Sequence, residues 1–174
     1  LAQELRGRGR RVRLTSEPTG GAVGLLIRQV LAGDVVVHPN TMAHLYAADR
    51  CEHVYGTGGM IEHTNAGEIV VCDRYVYSSL AYQTVQSDPE LVRRLNDAFP
   101  PPALAVFIDV PVEVTLQRLS ARPKREIYEY EAFQRAVRDS YCEIFDAAAR
   151  PADGAVGRRS PPPVRFSGTV HGTV

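Results

Sequence analysis

Three short strand-like runs, each ending near polar or charged residues, constrain the fold more than anything else in this chain. RRVRLT runs into Ser16-Glu17-Pro18, IVVC (Ile69 to Cys72) into Asp73-Arg74, and LAVFIDV (Leu104 to Val110) into Pro111 just after Asp109. IVVC and LAVFIDV are continuous apolar stretches, RRVRLT sets Val12, Leu14 and Thr15 among arginines, and helical patterns separate the three. Strands that are apolar on both faces and alternate with helices predict a parallel sheet covered on both sides. Ligands of such sheets bind outside the carboxyl ends of the strands, which is where Glu17, Asp73 and Asp109 fall.

The helical segments follow from spacing and stop signals. LAQEL reads as the last turns of a helix closed by Gly7 and Gly9, and Ala22 to Leu31 has helical apolar spacing. Asn40 to Val54 is a second such segment, opened by an Asn or Thr cap, after which Gly56 to Gly59 breaks the pattern and IEHTNAG leads into the next strand. Asp88-Pro89 caps a helix through Phe99; Pro111 opens another through Leu119; Glu129 to Ala149 is long and amphipathic. Pro163 to Phe166 is a final strand, and the Pro- and Gly-rich stretch 151–163 before it is a flexible loop.

With 174 residues and 44% hydrophobic content, one domain with a real core is expected. Twenty basic side chains balance 20 acidic ones, so no bulk attraction draws this chain to nucleic acid or an anionic membrane. Cys51, Cys72 and Cys142 lack C-x-x-C spacing, which argues against a disulfide framework or zinc site and fits a reducing cytoplasm. The five histidines have no ligand spacing and read as surface or packing residues.

An acid at a strand end can hold Mg2+ while a neighbouring arginine binds phosphate, which is what phosphoryl transfer requires. Asp73 and Arg74 also admit a plainer reading, a helix cap with an arginine paired to it. Taken in order, TSEPTGG, LYAADRCEH, CDRYVYSSLAYQ and FIDVPVEVTLQRLSAR resemble the thymidylate kinases over residues 1 to about 145, most specifically in D-R-Y-x-x-S-S-x-A-Y-Q. The resemblance implies an α/β fold of the P-loop nucleoside monophosphate kinase type, a parallel sheet with helices on both faces. It implies ATP and dTMP as substrates, Mg2+ as cofactor and a homodimer.

Carried over by residue, Arg74 binds the dTMP phosphate, and Asp73 assists the magnesium and phosphate network. Tyr46 stacks on thymine, Arg50 hydrogen-bonds the base, and Ser79 and Tyr82 line the deoxyribose, with Glu17 on the same substrate side. Arg118, Arg122, Lys124 and Arg125 match a lid, about residues 118–130, that brings cations over the ATP phosphates. Ser16 stands where many relatives have Arg, and Ser167-Gly168-Thr169 matches only loosely the motif after the last strand.

No G-x-x-x-x-G-K-[ST] loop occurs in these residues, and the first residue is not Met. The expectation is therefore a partial kinase domain lacking its first strand and last helix, inactive and unstable by itself. A related deoxynucleoside or nucleotide kinase, and a non-catalytic nucleotide-binding protein that has lost its P-loop, are the competing readings.

Overall fold

The computed structural model describes residues 1–120, 126–149 and 164–167. These fall into two units, Leu1–Phe99 and the part described from Pro100 onward.

In the first unit, α1 (Ala2–Gly7) ends where Gly9 takes φ 74°, a left-handed turn that costs glycine nothing. The chain then enters β1 (Val12–Ser16), followed by α2 (Ala22–Leu31), α3 (Pro39–Tyr55) and α4 (Met60–Asn65). β2 (Ile69–Asp73), α5 (Val76–Gln83) and α6 (Pro89–Asp97) complete the unit. β1 and β2 are parallel, in register from Val12 opposite Ile69 to Ser16 opposite Asp73, so both strands finish side by side. The Glu17 N–H donates to the Asp73 carbonyl at 3.0 Å, locking the two strand ends together one residue further on. Ile27, Met42, Val54, Val76, Ala81 and Val92 form the buried apolar core where the helices meet.

Two local expectations are corrected. The cap of α3 is His38, whose Nδ1 accepts the Asn40 N–H at 3.2 Å, rather than Asn40 or Thr41. Pro39 takes the first helical position, which needs no N–H, so the capping acceptor has to come from the residue before it. The segment after the glycines does not run straight into β2 but forms α4. Gly59 allows this tight entry, because a Cβ there would lie 2.7 Å from the Gly56 carbonyl oxygen and 2.8 Å from that of Val54.

In the second unit, β3 (Val106–Asp109) pairs in parallel with β4 (Val164–Ser167), Val106 opposite Val164 and Asp109 opposite Ser167. Between them lie α7 (Val112–Ser120) and α8 (Glu131–Ala149). Phe107 stacks on Tyr141 of α8 with ring centroids 4.9 Å apart, and Val112, Phe133, Val137 and Phe145 are buried. α8 starts two residues later than its pattern predicts: Tyr128 stacks on Phe133 at 4.5 Å, folding the chain back at the helix entrance. The lid cations Arg122, Lys124 and Arg125 and the loop 151–163 lie outside the described residues.

The architecture is α/β with parallel strands, as expected, but the strands stand as two pairs, each within its own unit. Leu14, Ile69, Val106 and Ile108 are exposed, against the expectation of strands covered on both faces.

Gly24 in the first turn of α2 fixes the loop that follows β1. A Cβ there would meet the Thr19 backbone at 2.2 Å from its oxygen and 2.7 Å from its nitrogen. Gly24→Ala should therefore lower stability by about 1–3 kcal/mol through overpacking, measured by denaturant unfolding, despite the better helix propensity of alanine.

Candidate functional site

The loop after β1 is pinned from two helices. Asp49 of α3 accepts the Thr19 N–H at 2.8 Å and the Thr19 hydroxyl at 2.6 Å, while Arg28 of α2 donates to the Pro18 carbonyl at 2.5 Å. This holds Glu17, at the end of β1, against the next residue of α3. Arg50 reaches the Glu17 carboxylate through Nε at 3.0 Å and Nη2 at 2.7 Å. Glu17 is 4% exposed and Arg50 1%, so the pair is buried rather than a solvated surface bridge.

Arg50 is the hub of this site. Nη2 also donates to the Ser79 hydroxyl of α5 at 2.9 Å, and Nη1 donates to the Asn96 side-chain carbonyl of α6. The rings of Tyr75 and Phe99 lie over the guanidinium carbon at 5.2 and 5.5 Å. Burial, ahead of the opposing pull of the Arg50 charge, pushes the Tyr75 phenol well above its usual range. A guanidinium has five N–H donors. Four are used among the described residues, leaving one N–H on Nη1.

Below Ser79 by one helical turn sits Gln83, also buried; its Oε1 has no donor among the described residues. An acceptor buried without a partner costs on the order of 1–3 kcal/mol, which marks Gln83 as a candidate that sequence reading passed over. The i, i+4 spacing from Ser79 was visible, but the missing donor was not.

At the end of β2 the chain turns sharply. Arg74 has φ 66°, the left-handed region that non-glycine residues enter at a cost of roughly 1–3 kcal/mol, mostly at functional sites. The Cys72 thiol donates to the Arg74 carbonyl at 2.9 Å and steadies this turn. Burial first, then the Glu17 and Asp73 charges, push that thiol up to about 12, so it stays protonated. The Arg74 guanidinium lies over the Tyr82 ring at 4.9 Å, bringing together two of the residues singled out from sequence. Asp73 is exposed, and α5 is capped by Tyr75 without a side-chain bond, so the helix-cap reading of Asp73 does not hold. Tyr46 is half-buried on α3, one turn before Arg50.

In the second unit Asp109, at the end of β3, accepts from Arg138 Nε at 2.7 Å and Nη2 at 3.0 Å, and from Arg165 Nη2 at 2.6 Å. Burial works to raise this carboxyl, but the hydrogen bonds from the two arginines outweigh it and hold its pKa below the ordinary value. Of the three acidic strand ends, then, Glu17 and Asp109 are committed to arginines, and Asp73 is exposed. Arg118 is exposed in the last turn of α7.

A parallel α/β chain carrying a strained arginine, an exposed acid and a buried guanidinium at the carboxyl ends of its strands has the organisation of a nucleotide- or phosphate-handling protein. A family model described as thymidylate kinase matches residues 1–150. The chain is 44% identical over 132 residues to a protein of Treponema pallidum, covering 75% of this chain and 64% of that protein. It is 42% identical over 150 residues to one of Aeropyrum pernix, covering 85% and 71%, and 37% identical over 133 residues to one of Methanococcus aeolicus, covering 76% and 65%. All three carry thymidylate kinase in their names. This chain belongs to the thymidylate kinase family, and it spans about two thirds of the length of these relatives.

Because the folded pKa of Asp109 is lowered, its contribution to stability is complete above the unfolded value of about 4 and is lost as pH falls through the folded one. Asp109→Asn should lower the melting temperature at pH 7 and leave a shallower acid limb below about pH 4 in a thermal-denaturation series.

Proposed function

We propose that the protein containing this chain transfers the γ-phosphoryl group of ATP to dTMP, giving dTDP. The observation that carries this reading is that two groups near Ser79 have hydrogen-bonding capacity left over among the described residues: Arg50, which donates to Ser79, keeps one N–H, and Gln83, one turn further along α5, has an Oε1 without a donor. Thymine offers the complement: its O4 accepts and its N3–H donates. Cytosine reverses both, with an amino group at position 4 and an acceptor at N3, so it would set donor against donor and acceptor against acceptor. Tyr46, one turn from Arg50, supplies a ring for stacking on the base, and Tyr82 a wall for the deoxyribose.

Arg74 is the phosphate ligand in this reading. Its placement over Tyr82 supports a phosphate beside the sugar, and a charge-assisted contact there neutralises charge on the acceptor. Magnesium sites in phosphoryl transfer use one or two carboxylates plus the substrate phosphates, and exposed Asp73 beside Arg74 fits that need. Mg2+ would supply charge neutralisation at the phosphates. Glu17 and Asp109 do not fit it, since their carboxylate oxygens already receive arginine or histidine donors. Arg118, with Arg122, Lys124 and Arg125, would cover the ATP phosphates and exclude water.

The two units are read as parts of one kinase domain, because the family match runs across both. A homodimer and a cytoplasmic location belong to the same proposal. No helix among the described residues is long and apolar enough to cross a membrane. The family match favours this reading over another nucleotide kinase and over a binding protein that has lost its activity.

Initial rates with dTMP, dCMP and dGMP as acceptors test the proposal in the intact gene product. It expects dTMP to be strongly preferred, and equal use of dTMP and dCMP would overturn it. Gln83→Leu should hold or raise the melting temperature, because it removes a buried acceptor with no partner, while raising KM for dTMP about tenfold. Arg74→Gly should behave similarly: glycine accepts φ 66° without strain, so stability holds or rises by about 1 kcal/mol while kcat/KM falls by orders of magnitude. Arg50→Ala is a poor probe by comparison, since leaving Glu17 buried without its cation costs about 3–5 kcal/mol and unfolds the site.

A further inference from the structure

Arg50 can present its remaining N–H in a fixed direction only if the carboxylate that holds it cannot turn. Glu17 has two oxygens, and Arg50 occupies Oε2 alone. The other, Oε1, lies 3.0 Å from Nδ1 of His53. His53 stands three residues after Arg50 on α3, so the two side chains project from one helix face and grip the carboxylate from both sides. The second ring nitrogen, Nε2, lies 2.6 Å from the Thr15 hydroxyl of β1. The His53 side chain is 9% exposed and that of Glu17 2%.

A carboxylate only accepts, so Nδ1 carries the proton and donates; in the neutral ring Nε2 is then the acceptor for the Thr15 hydroxyl. The bonds thus run in one direction, from Thr15 to His53 to Glu17, where they meet the donors of Arg50. With His53 in place, both carboxylate oxygens are fixed, and Arg50 keeps its orientation toward Ser79 and Asn96. Without it, Oε1 is buried with no donor, and the carboxylate is free to rotate and draw the guanidinium with it.

We propose that His53 is a positioning residue for base recognition: it acts through Glu17 on Arg50 and sets the affinity and selectivity for the pyrimidine base, without touching the nucleotide. This rests on the thymidylate kinase reading above.

Three substitutions separate this role from simple packing. The side-chain amide nitrogen of asparagine falls near the position of Nδ1, and that of glutamine near Nε2. His53→Asn therefore keeps the donor to Glu17, His53→Gln keeps only a partner for Thr15, and His53→Leu keeps neither. In the intact gene product, kcat and KM for dTMP, the dTMP to dCMP ratio of kcat/KM, and the melting temperature are measured for each.

The expected result is that H53L and H53Q raise KM for dTMP about tenfold and lower the dTMP to dCMP ratio, with kcat changed far less, while H53N stays within about threefold of wild type. Should H53L fail to fold, the comparison of H53N with H53Q still decides. The inference falls if H53N is as impaired as H53Q, if H53Q matches wild type, or if H53L changes melting temperature alone. A wild-type protein that does not phosphorylate dTMP would overturn the kinase reading itself, an outcome distinguishable from these because it precedes any variant.

Discussion

The first unit depends on one buried ion pair, Glu17 with Arg50. Removing two opposite charges from water costs several kcal/mol each, and their attraction repays it only when the remaining donors and acceptors are also satisfied. Here they nearly all are: His53 takes the second carboxylate oxygen, Ser79 and Asn96 take guanidinium protons, and Tyr75 and Phe99 cover the faces. These partners come from α3, α5 and α6 and the residues beside them, so satisfying this pair brings the end of β1 and these helices together. A purely apolar contact would hold these elements with less demand on their relative rotation.

The three acidic strand ends are used in different ways. Glu17 is turned inward and serves to orient Arg50, and Asp109 is held by arginines of α8 and β4. Asp73 faces solvent beside an arginine on a left-handed turn. Three acids that look alike in sequence are thus used differently: two fasten elements, and one is exposed. The strained Arg74 lies just before α5 and the donorless Gln83 at its end, and each costs stability.

Much of the fold was legible in the sequence. Ala22 to Leu31 is a helix with the bounds its spacing predicts, Asp88-Pro89 caps α6 through the Glu90 N–H at 2.9 Å, and Ile69 to Cys72 is a strand ending at Asp73. These features are written locally, since a helix or strand period and a cap need only neighbours within four residues. The family signature was legible for the same reason, D-R-Y-x-x-S-S-x-A-Y-Q being one strand end and one helix.

What the sequence determined by itself was the order of elements, the polar strand ends, and the set of residues from which a nucleotide site could be drawn. Only the tertiary structure decided how those residues are used. His53, which reads as an ordinary histidine, became a partner of Glu17, 36 positions away, and Arg50 became a buried hub through Asn96, 46 positions away. Whether a charge is spent on a neighbour or kept for a ligand depends on desolvation and on which donors lie within about 3 Å, and neither exists until distant parts of the chain have packed.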